Sequence, residues 1–327
     1  MKVGVVITGL GTGGAENHLL KVLPRVGFDV FVISLTDDDD TGVLLEEKGV
    51  RVYYLGLKKF NLCSVIWRFR KVLRREKPDV IDTYLIHANL FGRVFGRMFG
   101  VRKIVNSVRN DHSDLKVLNF LDRISKGLVS LYVPNSQSLV RYLVEKNKVS
   151  RSKIKVLSNA IDMKSMTTSK KYDVRKEFGF GKEDTVVVYH GRLHAQKCLD
   201  TLVRAGERLP KTYKILLIGE GSDRKRLEGI ASERVVFAGK VNDKQRLYSY
   251  LSQADCYVLP SRKEGMSNSL LEAMSLGLRC VVSDIAQNTE LVTDGENGFV
   301  FELGSEKSLA KVIQRAVKSK KKVGERA

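Results

Sequence analysis

The sequence predicts an α/β protein of two doubly wound, Rossmann-like domains facing a central cleft. Short runs rich in β-branched residues alternate with longer segments of helical period, which is typical of a parallel sheet covered by helices. The alternation stops once and then resumes, and in each half a glycine-rich turn follows a strand. A chain of 327 residues also suits two domains of about 150 residues each.

The first alternation defines an N-terminal domain over residues 1–164. Its predicted strands are Lys2 to Thr8, Asp29 to Leu35, Arg51 to Leu55, Asp79 to Tyr84, Lys103 to Val108, Leu131 to Pro134 and Lys153 to Leu157. Helical patterns fill most of the gaps between them. Because parallel strands are joined by crossovers, we expect these helices to cover both faces of the sheet.

A polar stretch at residues 165–172 is the predicted linker. Beyond it, a C-terminal domain over residues 173–318 repeats the alternation. Its predicted strands are Thr185 to His190, Lys214 to Ile218, Val235 to Phe237, Cys256 to Pro260 and Arg279 to Ser283. Residues 319–327 form a basic tail. In open sheets of this kind we expect ligands at the carboxyl ends of the strands.

The composition limits the classes of partner and location. No stretch approaches the roughly 18 consecutive apolar residues that span a bilayer, and the start lacks a signal-peptide pattern, so we expect a cytoplasmic protein. The four cysteines form no CxxC and predict neither a zinc site nor disulfides. A net charge of +20 favours anionic partners, namely nucleic acid, phosphorylated ligands or an acidic membrane face. No zinc-finger, RNP-like or helix-turn-helix pattern supports nucleic acid.

The first glycine loop, Gly9 to Gly14, follows the first predicted strand and precedes a helix. Such a loop lets the backbone approach a phosphate at the helix N-terminus. It also satisfies GxGxxG, with Asp37 to Asp40 after the second strand, so an NAD(P)-dependent oxidoreductase is an alternative. A third interpretation is a tight turn with no ligand.

Two cations follow the first strand of the second domain. Arg192 lies in Gly191-Arg192-Leu193, and Lys197 comes five residues later. Both can bind a diphosphate and neutralise its charge as it departs, a task that Mg²⁺ performs elsewhere. No convincing DxD-like motif accompanies them, so we expect no metal and no cofactor. Taken alone, the pair could also be solvent-facing loop cations.

A second strand, loop and helix unit carries two acids. Glu264 lies in the loop, and Gly265, Met266, Ser267 and Asn268 lead into a helix whose first amides can bind a phosphate or a sugar hydroxyl. Glu272, about one turn into that helix, can bind a ribose diol. Ser269-x-x-Glu272 is formally a capping box, which would give Glu272 a structural role instead.

These segments together resemble the retaining GT-B glycosyltransferases of family 4. The matches are the Glu264-x7-Glu272 element, Gly191-Arg192-Leu193 with Lys197, and Gly13-Gly14-Ala15-Glu16. The resemblance implies transfer of a sugar from a nucleotide sugar, UDP-linked by default, to a hydroxyl of a glycan or lipid-linked acceptor. Lys197 and Arg192 would hold the leaving diphosphate, Glu264 the donor sugar, and Glu272 the ribose.

In the same comparison, Gly13, Gly14 and residues 265–268 would support the sugar and the phosphates. Many relatives have a histidine after the fifth strand, where this chain has Arg109, with His112 as a fallback. His87 and Asn89 are further polar candidates on the acceptor side. For Arg109, a purely structural ion pair is the alternative role.

The segment Lys58 to Lys77 carries eight basic residues and one acid, Glu76, and also has a helical apolar period. It predicts either a sheet-packing helix with a solvated basic side or a helix that docks on anionic lipid. The second interpretation suggests a peripheral location at the inner face of the membrane, where a lipid-linked acceptor of cell-surface polysaccharide or glycolipid assembly would lie.

Overall fold

The computed structural model describes residues 1–11, 13–112 and 115–319, and its chain divides into two compact units, Met1–Asn159 and Ala160–Ala327. By this division residues 165–172, expected as a linker, fall in the second unit, where the Ser169 amide donates to Ser249 Oγ at 2.8 Å. Of the predicted basic tail, residues 320–327 lie outside the described part of the chain.

The first unit contains a six-stranded parallel sheet with the order β3-β2-β1-β4-β5-β6. Its strands are β1 (Lys2–Ile7), β2 (Asp29–Ser34), β3 (Arg51–Tyr54), β4 (Val80–Tyr84), β5 (Lys103–Val108) and β6 (Leu131–Pro134). This is the doubly wound order, in which the chain reverses direction across the sheet between β1 and β4.

The second unit repeats this topology in a sheet with the order β12-β11-β10-β7-β8-β9. Its strands are β7 (Thr185–His190), β8 (Tyr213–Ile218), β9 (Val235–Gly239), β10 (Cys256–Leu259), β11 (Cys280–Ser283) and β12 (Phe299–Phe301). The reversal here lies between β7 and β10. β12 has no counterpart among the predicted strands, because three residues carry little periodic signal.

Helices cover both sheets. In the first unit they are α1 (Gly14–Val22), α2 (Asp40–Glu47), α3 (Leu62–Glu76), α4 (Ile86–Met98), α5 (Lys116–Ser125) and α6 (Gln137–Glu145). In the second they are α7 (Val174–Phe178), α8 (Leu199–Gly206), α9 (Arg224–Glu228), α10 (Lys244–Ser252), α11 (Asn268–Ser275), α12 (Ala286–Thr289) and α13 (Glu306–Lys318).

The strand predicted at Lys153 to Leu157 is wrong. Arg151–Lys153 form a 3₁₀ turn, and Ile154 makes one isolated bridge to Tyr132. The Lys155 and Leu157 amides donate to β6 carbonyls, but no longer ladder forms and Leu157 is 58% exposed. Ile154 is buried with the apolar residues of α6, and this packing explains the apolar pattern.

Candidate functional site

The loops after β7 and β10 lie together at the chain reversal of the second sheet. The two strands pair directly, with Tyr257 opposite Val188. Beyond them, the Arg262 amide donates to the Gln196 carbonyl at 3.0 Å, and Gln196 Nε2 donates to the Lys263 carbonyl at 2.7 Å. These bonds fix the loop at residues 191–198 against the loop at residues 260–267, at the edge where doubly wound sheets bind ligands.

The loop after β8 packs against the first of these loops through two glycines. A Cβ on Gly219 would lie 1.9 Å from the Gly191 carbonyl oxygen, and one on Gly221 would lie 2.1 Å from the Leu193 carbonyl oxygen. Gly191 and Leu193 also donate backbone hydrogen bonds to the end of β8 and to Glu220. Close backbone approach therefore requires glycine at both positions.

Lys197 and Glu264 form an ion pair between the two loops. Lys197 Nζ lies 2.5 Å from Glu264 Oε1, and the side chains are 15% and 8% exposed. Lys197 ends a 3₁₀ turn, and Glu264 precedes α11. The ammonium group has three donors and the carboxylate several acceptor sites, so each group can bind a ligand in addition to its partner.

Arg192 lies at the same edge, and its side chain is exposed. The charges of Glu264 and Arg192 both act on the Tyr189 hydroxyl, whose pKa is raised, mainly by burial and further by Glu264, while Arg192 opposes the shift. Tyr189 itself donates to the Arg192 carbonyl at 3.0 Å. Within the described residues, the Arg192 guanidinium has no carboxylate partner.

The helix after Glu264 begins two residues earlier than the capping-box pattern Ser269-x-x-Glu272 predicts. Ser267 is the N-cap of α11, and its hydroxyl accepts from the Leu270 amide at 3.4 Å. Ser269 Oγ instead contacts Ser267 Oγ and accepts from the Tyr257 hydroxyl at 2.9 Å. The capping-box interpretation of Glu272 is therefore wrong, because the cap lies two residues earlier. Gly265 and Met266 lie in the turn before the cap, and Asn268 opens the helix.

Glu272 is held by side chains from two other elements. Its carboxylate lies 2.8 Å from His190 Nε2 at the end of β7, and accepts from the Tyr248 hydroxyl of α10 at 3.3 Å. Lys244 Nζ lies 3.7 Å away. Burial and the neighbouring carboxylate raise the pKa of Tyr248. Glu272 is 3% exposed, so this network sets the orientation of its carboxylate.

Sequence reasoning missed His190, Tyr248 and Lys244 as neighbours of Glu272. His190 carried a usable signal, because it is the polar last residue of an otherwise apolar strand directly before Gly191. Tyr248 and Lys244 lie one helical turn apart on α10, but nothing in the sequence pairs α10 with α11.

In the first unit, the glycine loop ends at Gly13, the N-cap of α1, and Gly14 is the first helical residue. A Cβ on Gly14 would meet no atom within 4 Å, so its backbone is open to approach. Asp38 accepts from Thr36 Oγ1 at 2.9 Å and belongs to the turn before α2.

A polar cluster surrounds Arg109 after β5. Arg109 NH1 donates to Asn159 Oδ1 at 2.9 Å, and the guanidinium lies 5.2 Å from the centre of the Tyr84 ring. Its Nε is buried and has no hydrogen-bond partner among the described atoms. These contacts are to an amide and an aromatic ring rather than the carboxylate of an ion pair.

Two titrating side chains of this cluster were also missed. Burial raises the pKa of Asp82 to about 6, while Ser107, which donates to it at 2.9 Å, and Arg109 oppose the shift. Burial, Arg109 and Lys21 lower the pKa of His18 to about 4. An acid inside the apolar strand β4 was the available signal for Asp82.

The other candidates of the first unit are dispersed. The His112 carbonyl accepts from Asn119, so its backbone tethers α5. His87 is exposed at the second position of α4. Asn89 is 4% exposed, and its Oδ1 has no hydrogen-bond partner among the described atoms.

The predicted basic helix is α3. Val65, Phe69 and Leu73 are buried, whereas its basic residues Arg68, Arg70, Lys71, Arg74 and Arg75 are exposed. Glu76 is 5% exposed and pairs with Lys2 at 3.1 Å and Arg51 at 3.4 Å. The exposed charged residues of α3 are therefore all positive, and Trp67 is exposed among them.

In the part of the chain that the structure describes, no group of three or more His, Cys, Asp or Glu side chains could hold a metal ion. None of the helices in this part is long and apolar enough to cross a membrane.

Both halves of the chain match families of known enzymes. Residues 12–165 match the family described as Glycosyltransferase Family 4, and residues 184–319 match the family described as Glycosyl transferases group 1. These matches include every residue singled out around Lys197, Glu264 and Glu272. They give no support to the oxidoreductase alternative based on Gly9 to Gly14.

Similar curated proteins include two bacterial transferases. One is the N-acetylgalactosamine-N,N'-diacetylbacillosaminyl-diphospho-undecaprenol 4-alpha-N-acetylgalactosaminyltransferase of Campylobacter jejuni, 26% identical, with 94% of this chain and 88% of that protein covered. The other is the UDP-Gal:alpha-D-GlcNAc-diphosphoundecaprenol alpha-1,3-galactosyltransferase of Escherichia coli, 25% identical, with 92% and 86% covered.

Similar solved structures include Anabaena HepE in complex with UDP-glucose, with a TM-score of 0.87, 21% identity, and 99% of this chain and 92% of that chain covered. Sucrose-phosphate synthase from Thermosynechococcus elongatus gives a TM-score of 0.83 at 18% identity, with the same coverage. The chain therefore belongs to the group 1, family 4 glycosyltransferases and is a glycosyltransferase with their GT-B fold of two Rossmann-like domains.

Proposed function

We propose that this protein transfers a sugar from a UDP-linked donor, a hexose or N-acetylhexosamine, to a hydroxyl of a glycan or lipid-linked acceptor with retention at the anomeric carbon. The observation that carries the proposal is the arrangement around β7 and β10. There the ion pair of Lys197 and Glu264 and the exposed Arg192 lie on adjoining loops, and the oriented Glu272 carboxylate lies in the helix that follows the second loop.

The charges of this edge suit a nucleoside diphosphate that carries a sugar. Arg192 and Lys197 would bind the diphosphate oxygens, and Lys197 would do so with donors beyond the one used by Glu264. Glu264 would accept from hydroxyls of the donor sugar. Glu272, held by His190 and Tyr248, would accept from the ribose hydroxyls.

Backbone amides would complete donor binding. Gly265, Met266 and Ser267 form the turn before α11, and Asn268 is its first residue. Amides of this segment would bind the donor, because a helix N-terminus favours an anion. Gly13 and Gly14 lie where α1 begins in the first unit, and their backbone would support a phosphate.

The chemical step follows from where charge develops. As the bond to the anomeric carbon breaks, the leaving diphosphate gains charge, and Arg192 and Lys197 stabilise it. In a front-face transfer this phosphate takes the proton of the attacking hydroxyl, and no enzyme nucleophile is required. We propose that the reaction needs no metal ion, because two cationic side chains can supply that stabilisation.

The relatives support the donor and acceptor classes. Galactose is α-linked in UDP-Gal, and the Escherichia coli relative is named for an alpha-1,3 product, which corresponds to retention. Both named relatives carry diphosphoundecaprenol-type acceptors in their names. We therefore propose a role in cell-surface polysaccharide or glycolipid assembly, at the inner face of the cytoplasmic membrane.

In the first unit, the polar cluster around Arg109 is the proposed acceptor side. Arg109 stands where many relatives have a histidine, with Tyr84 and Asn159 fixing its guanidinium. His112 and the exposed His87 are secondary candidates there. The burial of Asn89 restricts it to a role through α4 rather than direct contact.

A panel of nucleotide sugars tests this function by thermal shift. A donor present at 100 times its Kd should stabilise the protein by about 2.7 kcal/mol. We expect one UDP-sugar to give the largest shift, in the presence of EDTA as well as Mg²⁺. No shift with any nucleotide sugar, together with a shift for NAD(P)H, would contradict the proposal.

A further inference from the structure

The helix α5 presents its apolar residues to solvent. Val117, Phe120, Leu121 and Ile124 are 72%, 63%, 40% and 63% exposed. Their spacing of three, four and seven residues places them on one stripe of the helix. Leu115, just before the helix, is 40% exposed and extends the stripe. Isolated exposed apolar residues are ordinary, but a continuous stripe indicates an interaction surface.

The opposite side of α5 is polar and faces the interior. Asp122 is 6% exposed and pairs with Arg93 of α4, whose NH2 lies 2.6 Å from Asp122 Oδ1 and whose side chain is fully buried. Asn147 also donates to Asp122. Asn119 accepts from the Tyr142 hydroxyl at 2.5 Å. These bonds fix the rotation of α5, so the stripe cannot turn inward without breaking a buried ion pair.

The charged residues near the stripe are basic. Between residues 115 and 127 they are Lys116, Arg123 and Lys126, and the one acid, Asp122, is the buried partner of Arg93. Lys116 and Arg123 are seven residues apart and therefore lie on one line beside the stripe. An apolar stripe with a basic border has the chemistry of a helix that lies in the interface of an anionic bilayer.

The neighbouring helix extends this character. On α4, which carries Arg93, Met98 is 64% exposed and Val94 is 37% exposed. α4 also packs against α3, where Phe69 contacts Phe91. Arg70 of α3 lies over the ring of Phe99, the residue that follows α4. The helix that carries the apolar stripe and the helix that carries the basic residues thus both contact α4.

We infer that α5 is a membrane-insertion element that buries Val117, Phe120, Leu121 and Ile124 in the headgroup region of an anionic lipid bilayer, with Lys116 and Arg123 at the phosphates. This goes beyond the proposed transferase function, since it does not depend on any donor or acceptor. A second copy of the chain is a poorer occupant, because a symmetric contact would bring the same cations together.

The test compares two triple variants of the full chain by sedimentation with vesicles containing neither donor nor acceptor. Val117→Ser with Phe120→Ser and Ile124→Ser removes the stripe. Phe28→Ser with Val43→Ser and Leu44→Ser is the matched control, because those residues are 39%, 45% and 43% exposed on other elements of the same unit. Circular dichroism and thermal shift with a nucleotide sugar check that both variants fold and retain the donor site.

We expect wild type and control to sediment with phosphatidylcholine vesicles that contain phosphatidylglycerol, and the stripe variant to lose this binding at least tenfold. A second readout is fluorescence. In a Trp67→Phe background, which removes the single tryptophan, the residue introduced by Phe120→Trp should shift its emission to shorter wavelength on adding these vesicles.

Three results would overturn the inference. The stripe variant could sediment as well as wild type, or the Phe120→Trp emission could stay unchanged while the protein sediments. Alternatively, wild type could form a dimer that the stripe variant abolishes and that vesicles do not dissociate, which would assign the stripe to a second copy. A loss of donor binding without loss of sedimentation would contradict the proposed function and leave the inference standing.

Discussion

His190 Nε2 lies 2.8 Å from a carboxylate oxygen of Glu272, joining the last residue of β7 to the helix after β10. Both side chains are largely buried, and the contact crosses the chain reversal of the second sheet. His190 therefore acts as a positioning residue for Glu272. In the proposed function Glu272 binds the ribose of the donor, so a change at His190 should affect donor binding rather than the reacting atoms.

Replacing His190 by Phe should raise the KM for the nucleotide sugar about 10- to 100-fold with little change in kcat. A lost hydrogen bond to a buried carboxylate is worth about 1.5–3 kcal/mol. The measurement is steady-state kinetics, with His190→Gln expected to restore much of the affinity because its amide can still donate. Equal falls in kcat for both variants would contradict a positioning role.

The two glycines after β8 should not tolerate a methyl group. Gly219→Ala or Gly221→Ala should lower the free energy of unfolding by about 1–3 kcal/mol, because the new Cβ meets a backbone carbonyl of the β7 loop. Urea denaturation measures this. Gly229→Ala is the control, since its Cβ would have no neighbour closer than 3.6 Å. Equal stability of all three variants would refute the packing described for these loops.

Asp82 and His18 should give opposite pH dependences of stability. In the folded protein the pKa of Asp82 is raised to about 6. Its contribution to the free energy of unfolding is therefore full below about pH 4 and is lost as the pH rises through 6. The pKa of His18 is lowered to about 4 in the folded protein. Its contribution to the free energy of unfolding is therefore present above about pH 6.5 and is lost as the pH falls toward 4.

Denaturation between pH 4 and pH 7 should separate the two effects. Asp82→Asn should leave stability falling as pH decreases, and His18→Gln should leave it falling as pH increases, with each pKa unit worth about 1.4 kcal/mol. The double variant should show the weakest dependence on pH. Parallel curves for both single variants would show that neither group titrates in this window.

Charge on α3 should govern the electrostatic part of membrane attachment. Reversing Arg70, Lys71, Arg74 and Arg75 to Glu should abolish sedimentation with anionic vesicles at moderate salt, because each basic residue near such a surface contributes about 1 kcal/mol. The same number of reversals at Lys211, Lys225, Lys307 and Lys311 of the second unit is the control. Sedimentation equal to wild type would exclude α3 as the docking surface.

The sequence predicted the doubly wound domains because buried parallel strands appear as continuous apolar runs. In β7, for example, Val186, Val187 and Val188 are fully buried. The predicted strand Thr185 to His190 is confirmed. The strand prediction for Lys153 to Leu157 was wrong for the same reason. Ile154 has the apolar pattern of a strand, but it packs against α6 without forming a ladder of hydrogen bonds to a neighbouring strand. An apolar pattern reports burial and leaves hydrogen-bond pairing undetermined.

The site was less predictable where it depends on contacts between distant elements. Lys197 and Glu264 belong to separate sequence motifs, and in the structure Lys197 Nζ lies 2.5 Å from Glu264 Oε1. The partners of Glu272 come from β7 and α10, and no local spacing connects them. The outward stripe of α5 could not be predicted either, because the polar side of the helix is buried through contacts with distant residues, among them the ion pair of Asp122 with Arg93.

Turnover of the preferred nucleotide sugar by single variants of the donor site tests the central claim most directly. Arg192→Ala, Lys197→Ala and Glu264→Ala should each lower kcat about 10²–10³-fold while circular dichroism shows that each variant remains folded. Lys211→Ala, an exposed lysine on another loop, should be unaffected. Wild-type turnover in all three site variants would contradict the assignment of this edge as the catalytic site.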